Sequence, residues 1–175
     1  MSEQHLNSII IRPAVRTDAA VLGHYGASLM SLHSEWDQER FISAGPSTPE
    51  KYAQWLSSQV ALDDVVVLVA EDRGFVIGYV YAALEGADYM TLRGPAAVIH
   101  DIFVNPDRRR EGVGRGLLER AISTLSRKGA PRIILSTAYK NEGARSLFER
   151  MGFRATMIEM TKDCEAVDSG QSESS

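Results

Sequence analysis

Cysteine is nearly absent. Cys164 is the only one in 175 residues, which excludes an intramolecular disulfide framework and suits a reducing compartment. No apolar run approaches the roughly 20 residues that a bilayer-spanning helix needs. The opening MSEQHLNSII lacks a basic start followed by an apolar stretch, so no secretory signal is expected; a soluble cytoplasmic protein is the default. An excess of positive charge is missing as well. Lys and Arg number 19 against 23 Asp and Glu, a net charge of −4, and nothing resembles the basic footprint of a nucleic-acid binder. Three of those four negative charges lie in residues 162–175, where Asp163, Glu165, Asp168 and Glu173 face Lys162 alone.

What is present suffices for one well-filled core. The chain is 44% hydrophobic, and at this length folding buries roughly 70% of the extended surface, so no metal or disulfide staple is required. Residues 1–161 are expected to form a single domain. Residues 162–175, rich in Ser, Glu, Asp and Gly, read as a solvated, flexible acidic tail.

A short strand at Ile9, Ile10 and Ile11 is halted by Pro13. Thr17 and Asp18 offer an N-cap to a helix reaching about His33. Thr48 caps a second helix with Pro49 at its first position, and Tyr52, Trp55, Leu56 and Val60 recur there at helical spacing. Between the two, residues 36–47 are irregular yet hold Trp36, Phe41 and Ile42; such apolar loop residues either pack or cover a pocket. The β-branched run 65–70, the turn Asp72-Arg73-Gly74 and residues 75–84 predict a hairpin, in which Gly78 marks a bulge or a close backbone approach. A strand over 97–104 ends at Asn105-Pro106-Asp107. Val113, Leu117, Leu118, Ala121, Ile122 and Leu125 then make a helical stripe closed by Gly129 and Pro131. A short buried strand over 132–136, a helix bearing Ala144, Leu147, Phe148 and Met151, and a final strand over 153–160 complete the chain. The order β-α-α-β-β-β-α-β-α-β predicts an α/β fold, a mixed sheet with helices on both faces.

The most informative run is NPDRRREGVGRGLL, from Asn105 to Leu118. A strand ends, a charged turn follows, and two glycines open an amphipathic helix. Gly112 and Gly114 remove Cβ atoms where a ligand can touch the backbone. The first N–H groups of the helix have no intrahelical partner and form a ready anion site. Arg109, Arg110 and Arg115 oppose the helix dipole there unless an anion is bound, which points to function rather than capping. The bland reading is a helix-opening turn with solvated arginines. The dinucleotide pattern fails, because Leu117 stands where its third glycine belongs, and no Gly-Lys-Ser/Thr follows for a P-loop.

Arg109-x-x-Gly112-x-Gly114, directly after a strand, resembles the pyrophosphate loop of the GNAT superfamily of acetyl-CoA-dependent N-acetyltransferases. Downstream, Asn141-Glu-Gly-Ala144-Arg-Ser-Leu147-Phe148-Glu149-Arg-Met-Gly152-Phe153 resembles that family's second motif, N-x-x-A-x-x-L-Y-E-x-x-G-F. Together the two motifs span residues 98–153. The resemblance implies a mostly antiparallel sheet whose parallel middle strands splay apart, acetyl-CoA as co-substrate, and no metal. It implies that backbone N–H groups of Arg109, Arg110, Glu111, Gly112, Val113, Gly114 and Arg115 cradle the pyrophosphate. Phe103, Val104 and Asn105 would pair with the pantetheine arm like an added strand. Asn141 would contact the cofactor, cap its helix, or both. Pairing of two copies is a further family habit.

Amide formation requires a neutral amine, removal of its proton, and donors for a developing oxyanion, such as a backbone N–H on the splayed strand. Imidazoles as a class titrate near 6.5 and suit the base. His100 lies in the strand leading to the loop, where family members often carry Glu or His, and is assigned to deprotonate the amine, directly or through water; its alternative is a hydrogen-bonded sheet histidine. Asp101 is the second catalytic candidate, although regular alternation turns it to the opposite face unless a bulge intervenes. The second motif usually carries Tyr where this chain has Phe148, which either meets the cofactor or packs on the apolar stripe. Tyr139, just before that helix, is the substitute proton donor for the leaving thiolate.

His5, His24, His33 and Cys164 show no metal-ligand spacing, and no nucleophile elbow is present. The reading is direct acetyl transfer in a ternary complex to a primary amine of a small or amino-acid-like molecule, with peptide termini and lysines as other acceptors. The first two helices, the segment around Trp36 to Ile42, and the region from Tyr81 to Arg93 would set specificity. The alternative is a non-catalytic acyl-CoA sensor on the same fold, kept open by Phe148.

Overall fold

A computed structural model describes residues 8–164. The first seven residues, with His5, and residues 165–175 of the acidic tail lie outside the described residues. Five strands pair in chain order: β1 (Ile9–Pro13), β2 (Val65–Asp72), β3 (Phe75–Glu85), β4 (Ala96–Val104) and β5 (Ile133–Leu135). The first four are antiparallel, and β4 and β5 are parallel. Arg73 and Gly74 take positive φ between β2 and β3, the two-residue hairpin turn whose twist matches the strands it joins.

Alternation along β2 divides the core. Val66, Leu68 and Ala70 face α3 (Val113–Arg127) and α4 (Glu142–Arg150), together with Leu117, Leu118, Leu125 and Phe148. Val67 and Val69 face α1 (Ala19–Trp36) and α2 (Thr48–Gln59), with Leu22, Leu56, Tyr79 and Phe103. Both faces of the sheet are therefore covered, which is why β2 reads as an unbroken apolar run. The two helices on the second face cross closely at Gly26: a Cβ there would lie 2.6 Å from the Tyr52 ring. The missing side chain lets Tyr52 lie across α1 with its hydroxyl directed at the sheet.

Three expectations are corrected. Thr48 does not cap α2: Ser47 is the N-cap residue, Thr48 and Pro49 open the helix, and the Thr48 hydroxyl accepts from the Gly45 N–H (2.8 Å). Asp18 stands at the N-cap of α1 without capping it; its carboxylate instead accepts from Arg12 (2.8 and 3.0 Å) and from the Val15 N–H (2.8 Å). The final strand over 153–160 is not formed. Met157, Ile158 and Met160 are exposed, and Glu159 forms an ion pair with Arg40. β-propensity becomes structure only where an edge supplies the other half of the ladder, and β5, three residues long, pairs only with β4 among the described strands.

Candidate functional site

The site is built where β4 outruns its parallel neighbour. Ala97, Val98 and Ile99 pair with Ile133, Ile134 and Leu135, and from His100 onward β4 has no strand on that side among the described residues. The Asn105 N–H donates to the Ile77 carbonyl (2.9 Å). Antiparallel alternation then turns the main-chain groups of Val104 away from β3, toward the open edge. There the Val104 carbonyl accepts from Arg109 Nε (3.3 Å).

Beyond β4, Asn105 accepts from the Asp107 N–H (3.1 Å) and starts a single 3-10 turn over Pro106–Arg108. Arg108 is structural, pairing with Asp72 (3.0 Å) and Glu111 (2.9 Å). The Glu111 carboxylate is thereby drawn off the loop, leaving its amide. Arg110 takes φ +65° and Gly112 φ +83°, the left-handed conformation that glycine adopts without penalty. The first α3 bond runs from the Gly116 N–H to the Gly112 carbonyl (2.9 Å), and no side chain caps the helix. Six consecutive N–H groups, those of Arg110, Glu111, Gly112, Val113, Gly114 and Arg115, thus have no hydrogen-bond acceptor among the described residues. Val113 packs its side chain in the core and offers only its amide. Arg115 lies along the helix against Glu119 (2.7 Å). This donor set fits a diphosphate: a run of convergent amides at the positive end of a 15-residue helix, beside two further guanidinium groups.

Two clefts lie along α1 on this side of the sheet. One of about 490 Å³ reaches the loop and is lined by His24, Ser28, Glu35, Phe103, Pro106 and Arg109 among others. The second, about 190 Å³, is formed by Leu29, Met30, His33, Phe41 and Ile42 with His100 and Asp101. The register explains how neighbouring residues share one cleft. Tyr81 opposes Asp101 while Ala82 opposes Ile99, so His100 is the extra residue of a β-bulge. Regular alternation, which would turn Asp101 away from His100, is broken by the bulge that the sequence left open, and both side chains turn to the α1 and α2 face.

Each has its own retinue. His100 Nε2 lies 2.7 Å from Glu85 Oε1, whose other oxygen meets Arg93 (2.7 Å), and the imidazole stacks on Tyr81 with centroids 5.3 Å apart. Asp101 Oδ2 accepts from the hydroxyls of Tyr52 and Tyr79, the latter at 3.2 Å. Burial first, and then the Asp101 charge, push both phenols well above their usual range, so they remain donors.

Other predicted residues lie elsewhere. Asn141 caps α4, accepting from the Ala144 N–H (3.2 Å). Tyr139 is 83% exposed beneath the Arg145 guanidinium and lines neither cleft. Phe148 is buried in the core against Phe153. Glu85, Tyr52 and Tyr79 escaped motif reading because they come from other strands and helices. The acidic and aromatic content of 79–85 was the one sequence signal for Glu85 and Tyr79, and Tyr52 read only as part of a helical stripe.

Residues 29–153 match the model of the acetyltransferase (GNAT) family, and the chain belongs to that family, whose members take their acetyl group from acetyl-CoA. It is similar to YhfO of Bacillus subtilis strain 168, an N-acetyltransferase described as uncharacterized: identity is 28% over 145 residues, 82% of this chain and 88% of that protein. It is also similar to MJ1207 of Methanocaldococcus jannaschii, likewise an uncharacterized N-acetyltransferase, at 31% over 102 residues; the match takes in 58% of this chain and 43% of that longer protein. A predicted acetyltransferase from Clostridium acetobutylicum, crystallised with acetyl-CoA, shares the fold at a TM-score of 0.67 and 17% identity, over 87% of this chain and 96% of its own.

Proposed function

We propose that this protein transfers an acetyl group from acetyl-CoA directly to a primary amine of a small molecule, both substrates being bound at once. The observation that carries this reading is the run of six unpartnered amides lying at the end of the strand that bears His100. When bound, acetyl-CoA supplies an activated acyl carbon as its thioester. The loop from Arg109 to Arg115 holds the diphosphate by main-chain N–H groups, and the unpaired edge at Phe103, Val104 and Asn105 aligns the pantetheine arm. Asn141 adds to cofactor binding through the helix end it orders, and Phe148 supports that helix from the core.

His100 takes a proton from the amine. With Nε2 engaged by Glu85, Nδ1 is the nitrogen left to receive it. The amine then forms the C–N bond as the C–S bond breaks. N–H groups on the open edge of β4 are the chain's donors for charge building on the acyl oxygen. The Tyr139 hydroxyl, without a hydrogen-bond partner among the described residues, is assigned to protonate the departing thiolate.

Phe148 supports a second reading, an acyl-CoA sensor without turnover, since a core phenyl cannot protonate a thiolate. One experiment separates the two. Thiol release from acetyl-CoA is followed across a panel of primary amines alongside a coenzyme A titration. Amine-dependent release is the expected outcome; binding with release for no amine favours the sensor.

A further inference from the structure

The second cleft pairs an apolar chamber with a half-used carboxylate. Both tyrosine hydroxyls engage the same oxygen of Asp101, Oδ2, and among the described residues no hydrogen bond uses Oδ1, although Asp101 lines the cleft. Tyr52 and Tyr79 also approach each other at 3.1 Å, so the carboxylate is held from behind with one oxygen left forward. The rest of the chamber offers nothing to a second charge. Leu29, Met30, Phe41 and Ile42 are apolar, and no Lys or Arg lines it. Arg93, the guanidinium near His100, is tied to Glu85, and His33 Nδ1 is engaged by the Leu29 carbonyl (2.8 Å). The cleft is open to solvent on one side, and its volume, about 190 Å³, leaves room for a phenyl-sized body against the apolar wall.

We propose that the acceptor is a compact primary amine with an uncharged apolar body: its ammonium is received by Asp101 Oδ1, and its body fills the chamber of Leu29, Met30, Phe41 and Ile42. This rests on the transferase reading and narrows it. The bulge sets the order of events. The ammonium binds at Asp101 and gives one proton to the neighbouring His100; the nitrogen lone pair so freed attacks the acyl carbon, the C–S bond breaks, and the second proton shed by the new amide nitrogen balances the one that Tyr139 gives to the departing thiolate. Tyr52 and Tyr79 are positioning residues, acting on the amine through Asp101. Gly26 shares that role at one remove, because it makes room for the Tyr52 ring.

The test compares amines matched in length and body. Pentylamine is set against cadaverine, which adds a second ammonium, and phenethylamine against phenylalanine, which adds a carboxylate. Each uncharged body should give a kcat/KM about tenfold above its charged counterpart, because an unpaired charge laid against the apolar wall loses part of its hydration. Tyr52→Phe should raise the amine KM about tenfold, with kcat within about threefold and coenzyme A affinity unchanged; that split separates positioning from a general loss of structure. Ile42 is 77% exposed, so Ile42→Glu should fold normally and swing preference toward cadaverine. Equal or better use of cadaverine, phenylalanine or a peptide N-terminus by the wild type overturns the proposal while leaving the transferase reading intact. So does a Tyr52→Phe protein altered in kcat alone. Release with no amine at all overturns both.

Discussion

His100 is held from two sides, by the Glu85 carboxylate at Nε2 (2.7 Å) and by the face of Tyr81. As the proposed base, His100 would meet the amine with one nitrogen in a fixed direction, and the gain from such geometry would belong to the chemical step. His100→Ala should therefore lower kcat by about 10²-fold or more, the usual scale for loss of a general base, and leave coenzyme A affinity unchanged. Glu85→Gln keeps a partner for the ring but removes the carboxylate, and should lower kcat about tenfold, as for other groups that orient a catalytic side chain. Tyr139→Phe is the third member of the series; a kcat near that of the wild type would move thiolate protonation to water. Steady-state kinetics with one amine under saturating acetyl-CoA reads all three.

Elements are joined by polar ties as well as by the core. Arg12 on β1 reaches Asp18 before α1 and Glu71 on β2, fixing the first helix to the sheet edge. Asp18 is buried. Burial pushes its carboxyl up, yet the Arg12 hydrogen bonds, the Val15 amide and the Arg12 charge together hold it below the usual carboxylate range. A folded-state value below the unfolded one stabilises the protein above the unfolded value, near 4, and that stabilisation is lost as pH falls through the lower, folded one. Asp18→Asn should cost about 2 kcal/mol at neutral pH, the scale of hydrogen bonds to a charged group. The same variant should lose less stability than the wild type between pH 5 and pH 2. Urea unfolding across that range measures both.

Local signals were legible at this scale and long-range ones were not. The loop after β4 could be read because Gly112, Gly114 and three arginines sit within seven residues, so its chemistry is written contiguously. The α3 and α4 stripes are likewise local. The bulge at His100 depends on how Tyr81 and Ala82 register against β4, and period-two alternation along β4 alone predicts the wrong face for Asp101. Residues 153–160 carry strand propensity but pair with none of the described strands, so pattern and outcome part there.

Across the whole molecule, α1 is the common wall. The larger cleft runs from it to the glycine loop, and the smaller lies between its second half, the segment bearing Phe41 and Ile42, and the bulge. One sheet end thus brings the six unpartnered amides, the open edge of β4, His100 and the smaller cleft side by side. Phe41 and Ile42 do border a cleft, the second of the two roles open to apolar loop residues. Nothing local marks their partners Leu29 and Met30, because only the tertiary crossing of α1 over β4 makes them a wall.

The cradle is the feature from which every assignment of chemistry starts, and titration calorimetry with coenzyme A tests it most directly. The wild type should give a saturable heat for one coenzyme per chain. Gly112→Val, which forces a β-branched residue to φ +83°, should weaken binding about tenfold, since that conformation costs a side chain about 1–2 kcal/mol. No heat from the wild type, or unaltered affinity in Gly112→Val, would contradict a diphosphate seated on these amides.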